Sequence, residues 1–366
     1  MYPIAEVTKK LLRGGTVMAD CGTKLYTPDG FGFYKALWGR DFAYILSAAG
    51  EFIPAEEMKA AIEFLMAGAR EDGWIPDRVE PDGVARYTAG DEHFPASPNL
   101  DTGPFLVIAA DVYLQQLEEK TACRQFEEWQ KGLQRSLDCL PVDENGLIWN
   151  HAAPPHSPYG FTDCIVKTGK LAMESLLLWQ ALKIMTAWGK TCCQDTACME
   201  RKLRSIETAF VPTFTQENGM FLASTECCSQ TDVWAACYAI HIGFPLPEAQ
   251  RDQISHWLID HHGEVTEGGQ IRHLPGGEFW EKTFVPVAPG EYQNGAYWAT
   301  ATEWYCDAVG RLDPGLAAKT VEEALDYFEK YGIFECVNGE YRKLDTFVAS
   351  ATNVYAAAKR WLPAVV

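Results

Sequence analysis

Residues Tyr159–Leu182, YGFTDCIVKTGKLAMESLLLWQAL, hold two kinds of chain in succession. The first part is an aromatic, glycine-bearing loop with one acid, Asp163. The second reads as a helix, because Leu171, Leu176, Leu177, Leu178 and Leu182 recur at mixed three- and four-residue spacing. A loop that aims a carboxylate just ahead of a buried helix suits acid chemistry. The same loop-then-helix unit returns along the chain.

The periodicity predicts twelve helices. The first covers 4–13, the second runs from Arg40 to about Phe52, and the third covers 55–70. The fourth and fifth lie at about 100–118 and 121–139, and the sixth starts near Leu171. Further helices are expected at 198–210, 231–243, 249–262, 294–309, 318–331 and 346–362. Short links follow the second, fourth, sixth, eighth and tenth helices, and long loops follow the odd ones. Helices joined by short links lie antiparallel, so every long loop falls at one end and feeds an even helix. The even helices carry the fewer charges and need burial on all sides, whereas the odd ones are amphipathic. Six buried helices inside six amphipathic ones make an (α/α)6 barrel, all-α, with its site at the long-loop end. An open superhelix of hairpins would show a recurring motif in each repeat, and none is present. No linker divides residues 1–366, so one barrel domain is expected.

Composition narrows the partners. A formal net charge of −19 disfavours nucleic acid and anionic membrane surfaces, which require a basic face. No apolar run approaches a membrane span, and the N-terminus lacks the pattern of a signal peptide, so a cytoplasmic location is expected. The 12 cysteines fit that reading, since Cys123, Cys139, Cys198, Cys237 and Cys306 fall in helical patterns where a thiol acts as a small core residue. Cys192–Cys193 and Cys227–Cys228 lack CxxC spacing, so no metal is expected unless they converge with His261 or His262. Trp, Tyr and Phe are plentiful in the loops, where their rings suit the apolar faces of sugars as well as packing.

The long-loop end collects acids with interleaved aromatics: Trp38, Arg40 and Asp41, then Trp74 and Asp77, Asp101, Tyr159 and Asp163, Trp280, Tyr292 and Asn294, and Glu335. Inner-helix N-termini there point unpaired N–H groups and positive dipole ends at the floor of the cup. Asp before a helix is also an ordinary N-cap, and Trp74, Trp280 and Trp298 serve equally as core or as sugar platforms.

Four segments in order, Trp38-GRD-Phe42, Asp163 through Leu182, Tyr292-QNGAYW and Ile333-FECVNGEY, resemble the six-hairpin glycosidases. The nearest pattern is the amylo-α-1,6-glucosidase domain of glycogen debranching enzymes, with glucoamylases and processing α-glucosidases as more distant relatives. The resemblance implies Asp163 as general acid and Glu335 as general base. It further implies Arg40 and Asp41 as sugar ligands, Lys170 and Glu174 as supporting polar groups, and Tyr292, Asn294 and Trp298 as pocket wall. The chain departs from the family pattern at Val166–Thr168 and at Trp298–Ala299. Inverting, exo-acting hydrolysis of α-linked gluco- or manno-configured oligosaccharides is what the resemblance implies, and no cofactor is needed, since carboxylates and water suffice.

Inversion requires an acid and a base roughly 6.5–9.5 Å apart, and the third and sixth long loops of a closed ring face each other across its mouth. Tyr159 and Phe161 beside Asp163 are expected to raise its pKa by desolvation. Glu291 and Glu303 are alternative bases, with Glu303 expected a few turns into the tenth helix. Arg40 and Asp41 can also be read as an ion pair at a helix start, and His241 as a satisfied core histidine. An epimerase or isomerase on the same barrel needs paired central histidines, a phosphorolytic enzyme needs an anion pocket from Arg272, Lys282 or Lys343, and a carbohydrate-binding protein needs no acid pair.

Overall fold

The computed structural model describes residues 2–90 and 92–363. Among them, twelve helices of two turns or more build the fold: α1 Ile4–Gly14, α2 Gly39–Ala49, α3 Ala55–Ala67, α4 Thr102–Leu114, α5 Glu119–Asp138 and α6 Ala172–Thr191. They continue as α7 Ala197–Phe214, α8 Val233–His241, α9 Glu248–Asp260, α10 Thr302–Val309, α11 Pro314–Tyr331 and α12 Val348–Trp361. The even helices pack in the order α2, α4, α6, α8, α10, α12 and back to α2, closing a ring that the odd helices surround. This is the (α/α)6 barrel.

Side-chain chemistry decides which layer a helix enters. In α4, TGPFLVIAADVYL, eleven of thirteen residues are buried, so neighbours must cover every face. In α5 only Ala122, Gln125, Phe126, Trp129, Leu133, Ser136 and Leu137 are buried, one stripe at three- and four-residue spacing. Along the axis, Tyr44, Phe105, Trp234, Tyr238 and Trp304 pack ring on ring, with centroids 4.9 Å apart for Tyr44 and Phe105 and 4.7 Å for Tyr238 and Trp304. These rings fill the space between the inner helices. Aromatic pairs of this kind add about 0.5–1.5 kcal/mol each beyond area burial.

The long loops are less irregular than their sequence suggests. Short antiparallel strands tie them together, among them Leu37–Trp38 with Arg78–Val79, and a five-stranded patch formed by Thr266–Glu267, Gln270–Arg272, Tyr297–Trp298, Phe334–Asn338 and Tyr341–Asp345. Pairing of Tyr297–Trp298 with Ile271 and Arg272 corrects the expected helix at 294–309: backbone groups spent on the strand cannot also make helix, which begins at Thr302 after a turn of 3-10 helix. Glu303 accordingly sits in the first turn of α10, not deep within it.

The opposite end of the barrel is closed by charge. Asp307 accepts from Arg360 Nη1 at 2.9 Å and Trp361 Nε1 at 3.1 Å, and faces His241 Nδ1 at 2.8 Å. His241 is thus the last residue of α8 and paired, and Glu303 stands beside this group, away from the mouth. Cys237 and Cys306 are buried as expected, whereas Cys198 is exposed and Cys123 faces Cys192 at 2.7 Å. Cys227 meets Thr168 and Cys228 the Lys282 carbonyl, so these cysteines do not converge with His261 or His262, which bond Trp257 and Tyr305. No helix among the described residues is long and apolar enough to cross a membrane.

Candidate active site

A pocket of about 260 Å³ opens among the long loops, lined by residues from distant parts of the chain. Trp38, Arg40 and Asp41 come from the start of α2, Phe161 and Asp163 from the loop before α6, Tyr292 and Trp298 from that before α10, and Glu335 and Lys343 from the hairpin before α12. Because α6 and α12 are third and sixth in the ring, their loops approach the mouth from opposite sides.

Asp163 ends a single 3-10 turn, Gly160–Thr162, and is buried. Its Oδ1 accepts from Gln293 Nε2 at 2.8 Å. Burial pushes its carboxyl up to about 7, and Asp77 and Asp101 push the same way, while Arg40 and the Gln293 hydrogen bond hold it back. Glu335 is 3 % exposed. Tyr34 Oη donates to its Oε1 at 3.0 Å, and Oε2 is left without a hydrogen-bond partner, 3.6 Å from Lys343 Nζ. Burial raises the Glu335 pKa, against Lys343 and Tyr34, which favour the ionised form. Lys343 is itself held over the Tyr292 ring at 3.1 Å from the centroid.

Arg40 does not pair with Asp41, which corrects the simple helix-start reading. Its Nε donates to Asp101 Oδ2 at 3.0 Å and its Nη2 to Asp77 Oδ1, all three residues being buried. Asp101 also takes the Gly160 N–H at 2.8 Å, and a Cβ on Gly160 would fall 1.6 Å from Arg40 Nε. The guanidinium therefore fills the space beneath the loop that carries Asp163. Asp41 lines the pocket with its carboxyl pushed up to about 7, chiefly by burial. The indole N–H groups of Trp38 and Trp298 are buried without partners, two donors in pocket-lining residues.

The other expected residues stand behind or away from the pocket. Asn294 bonds the Trp280 N–H and the Val287 carbonyl, and Trp280 is buried with Lys167 over its ring, so both support the wall from outside. Trp74 stacks on His156 at 5.2 Å rather than lining the pocket. Lys170 reaches the other way, to Asp143 at 2.8 Å, because its two-residue strand pairs with Trp149–Asn150. Glu174 lies in the first turn of α6 with both carboxylate oxygens buried and unbonded, and burial raises it to about 7. Beside it, Lys167 is fully buried against Asp232 at 3.4 Å. Burial acts against the Asp232 carboxylate, but Lys167 and His273 outweigh it and hold it at about 2. Glu291 and Lys282 are exposed, and Glu303 and Arg272 do not line the pocket. Sequence reading misses Tyr34 and Gln293, the latter lying between Tyr292 and Asn294, and gives Lys343 only as an anion ligand. An aromatic or amide in a loop carries no periodic signal, and its partner is more than 100 residues away in each case.

No protein-family model matches the chain, and no curated protein sequence matches it. Solved structures do. A GH63 mannosylglycerate hydrolase from Thermus thermophilus, in complex with Tris and D-glycerate, is similar at a TM-score of 0.68 and 14 % identity, over 97 % of this chain and 99 % of that one. A rhamnosidase from Klebsiella oxytoca with rhamnose bound gives 0.66 and 15 %, over 99 % of this chain and 64 % of that one. A wild-type glycosidase gives 0.66 and 11 %, over 99 % of this chain and 96 % of that one. What carries over at these identities is the fold, the (α/α)6 barrel, which these glycosidases share.

Proposed function

We propose that the chain is a glycoside hydrolase in which Asp163 is the general acid and Glu335 the general base, acting with inversion on the terminal sugar of a small α-linked gluco- or manno-configured glycoside. One observation carries this reading: two buried carboxyls from opposite loops line one pocket, and each has one oxygen engaged by a neutral donor. Asp163, raised to about 7, keeps a proton for the leaving oxygen, while Lys343 and Tyr34 favour the ionised Glu335 needed to deprotonate water. Asp41 lines the same pocket and supplies a carboxyl oxygen that sugar hydroxyls can bond, beside the rings of Trp38 and Trp298.

A pocket of about 260 Å³ favours exo-action on one sugar over the bulk of a branched polysaccharide, although the motifs resemble the debranching branch. The mannosylglycerate hydrolase among the structural neighbours makes a carboxylate-bearing leaving group a natural member of the substrate panel. No histidine lines the pocket among the described residues, which disfavours an isomerase. Lys343 is its one ammonium among those residues, already facing Glu335, which disfavours a phosphate site.

The test is hydrolysis of p-nitrophenyl glycosides, α-linked gluco- and manno-oligosaccharides and mannosylglycerate by the wild type, Asp163→Asn and Glu335→Gln. Sugar release by the wild type and its loss by about 10³-fold or more in both variants supports the reading. Full turnover in either variant removes that residue from the mechanism, and binding without release from any substrate points to a carbohydrate-binding protein.

A further inference from the structure

We infer that Gln293 is a positioning residue that dictates which oxygen of Asp163 carries the proton and holds that oxygen toward the pocket. The inference deepens the proposed acid role of Asp163 and rests on it, but its central measurement does not require turnover.

Gln293 is 1 % exposed and every polar atom of its side chain is used. Nε2 donates to the Gly160 carbonyl at 2.9 Å and to Asp163 Oδ1 at 2.8 Å, and Oε1 accepts the Cys164 N–H at 2.9 Å. The amide orientation follows from these partners. Rotated by half a turn, it would set Oε1 against a carbonyl and a carboxylate and Nε2 against an N–H, losing three bonds at once. One side chain thus spans both sides of the Gly160–Thr162 turn and its acid. No local backbone bond does the same.

The consequence is chemical. Oδ1 receives an N–H, so in the neutral acid the hydroxyl proton belongs on Oδ2. A carboxylic acid whose proton sat on Oδ1 would face a donor with a donor. Gln293 is itself fixed. Its carbonyl accepts from Trp280 Nε1 at 2.9 Å, and the preceding Tyr292 takes a left-handed backbone with φ of 44°, which turns the chain toward Asp163. Trp280 and Tyr292, which sequence reading assigns to the sugar, therefore also serve the acid through Gln293.

Other groups also face Asp163: Arg40 from α2, Asp77 and Asp101 from the loop before α4 and the α4 N-cap, and Cys164 and Tyr292 beside it. Gln293→Met keeps the length of the side chain and removes all three hydrogen bonds while leaving these charges in place.

The experiment follows the carboxyl carbon of Asp163 by NMR in protein labelled at aspartate, the resonance being assigned by its disappearance in Asp163→Asn. Losing a donor that favours the carboxylate moves the Asp163 midpoint upward by about one pH unit in Gln293→Met. With an active substrate, kcat falls by roughly 10²-fold while KM stays within about threefold, and the alkaline limb of the pH profile moves up with the midpoint. Gln293→Glu, which donates only when protonated, regains part of the lost kcat on the acid side alone. An unmoved or lowered midpoint in a Gln293→Met protein of wild-type circular dichroism overturns the inference. So does loss confined to KM. If the wild type hydrolyses nothing, the acid role falls, but the NMR midpoint still decides whether Gln293 governs the Asp163 proton. If Gln293→Met does not fold, the equally neutral Gln293→Leu decides by the same midpoint, since it too removes the three hydrogen bonds and adds no charge.

Discussion

Tyr34→Phe removes one oxygen from the pocket and almost nothing from the packing. The ring contacts of Tyr34 with Phe33, Trp38 and Phe347, at 5.0, 5.4 and 6.4 Å between centroids, do not use the hydroxyl, so the phenylalanine keeps them. What disappears is the 3.0 Å bond to Glu335 Oε1, together with the hydroxyl's hydrogen bond with Tyr292. A hydrogen bond to a charged acceptor contributes about 1.5–3 kcal/mol, so the bond holds the Glu335 pKa below where burial alone would put it. Lys343 is the larger force in the same direction and remains, so the variant keeps part of the restraint. The sign is definite: removing a donor to the carboxylate raises the pKa. The acid limb of kcat/KM against pH therefore moves to higher pH. The alkaline limb, which the proposed acid Asp163 would set, stays in place, so the bell narrows and its peak falls by less than about tenfold. The assay is a pH series of sugar release with wild type and variant side by side, and thermal unfolding should agree within a few degrees. An acid limb that does not move, or an alkaline limb that moves instead, refutes Glu335 as the base.

Two further outcomes follow from the buried charges. Arg40→Met leaves Asp77 and Asp101 buried without their shared guanidinium and should cost about 3–5 kcal/mol in urea unfolding, since stranding a buried charge costs more than losing a surface pair; a loss below about 1 kcal/mol refutes the structural role of Arg40. Stability should also decline as pH rises from about 6.5 to 8. Asp41, Asp163 and Glu174, each raised to about 7, bind protons in the folded state that the unfolded chain has already released, so their contribution is present in acid and lost as pH passes their folded values. His273, lowered to about 4 by burial, acts oppositely but only below about 6.5. A melting temperature that rises between about pH 6.5 and 8 would contradict those assignments.

The layering of the barrel is legible in the sequence because it depends on composition within single helices. An all-buried segment such as Thr102–Leu114 and a one-stripe segment such as Glu119–Asp138 differ in their own residues, whatever surrounds them. The alternation of short and long links is equally local, and with it comes the location of the mouth. Tyr297–Trp298 misleads because aromatic residues suit strand and helix alike, and the pairing with Arg272 and Ile271 that decides between them is distant in sequence.

The site is legible as an inventory of residues, not as a set of contacts. Sequence alone puts Asp163 and Glu335 in loops that a closed ring brings to one mouth. Only the tertiary structure decides that Arg40 spends its guanidinium on Asp77 and Asp101, that Lys170 turns away to Asp143, and that Tyr34 and Gln293 each take one oxygen of a buried acid. The physical reason is one of range. Helix period and amphipathicity are properties of neighbours along the chain, whereas the partner of a buried carboxyl, and with it the proton affinity of that carboxyl, depends on which distant loop the closed ring carries to within hydrogen-bonding distance.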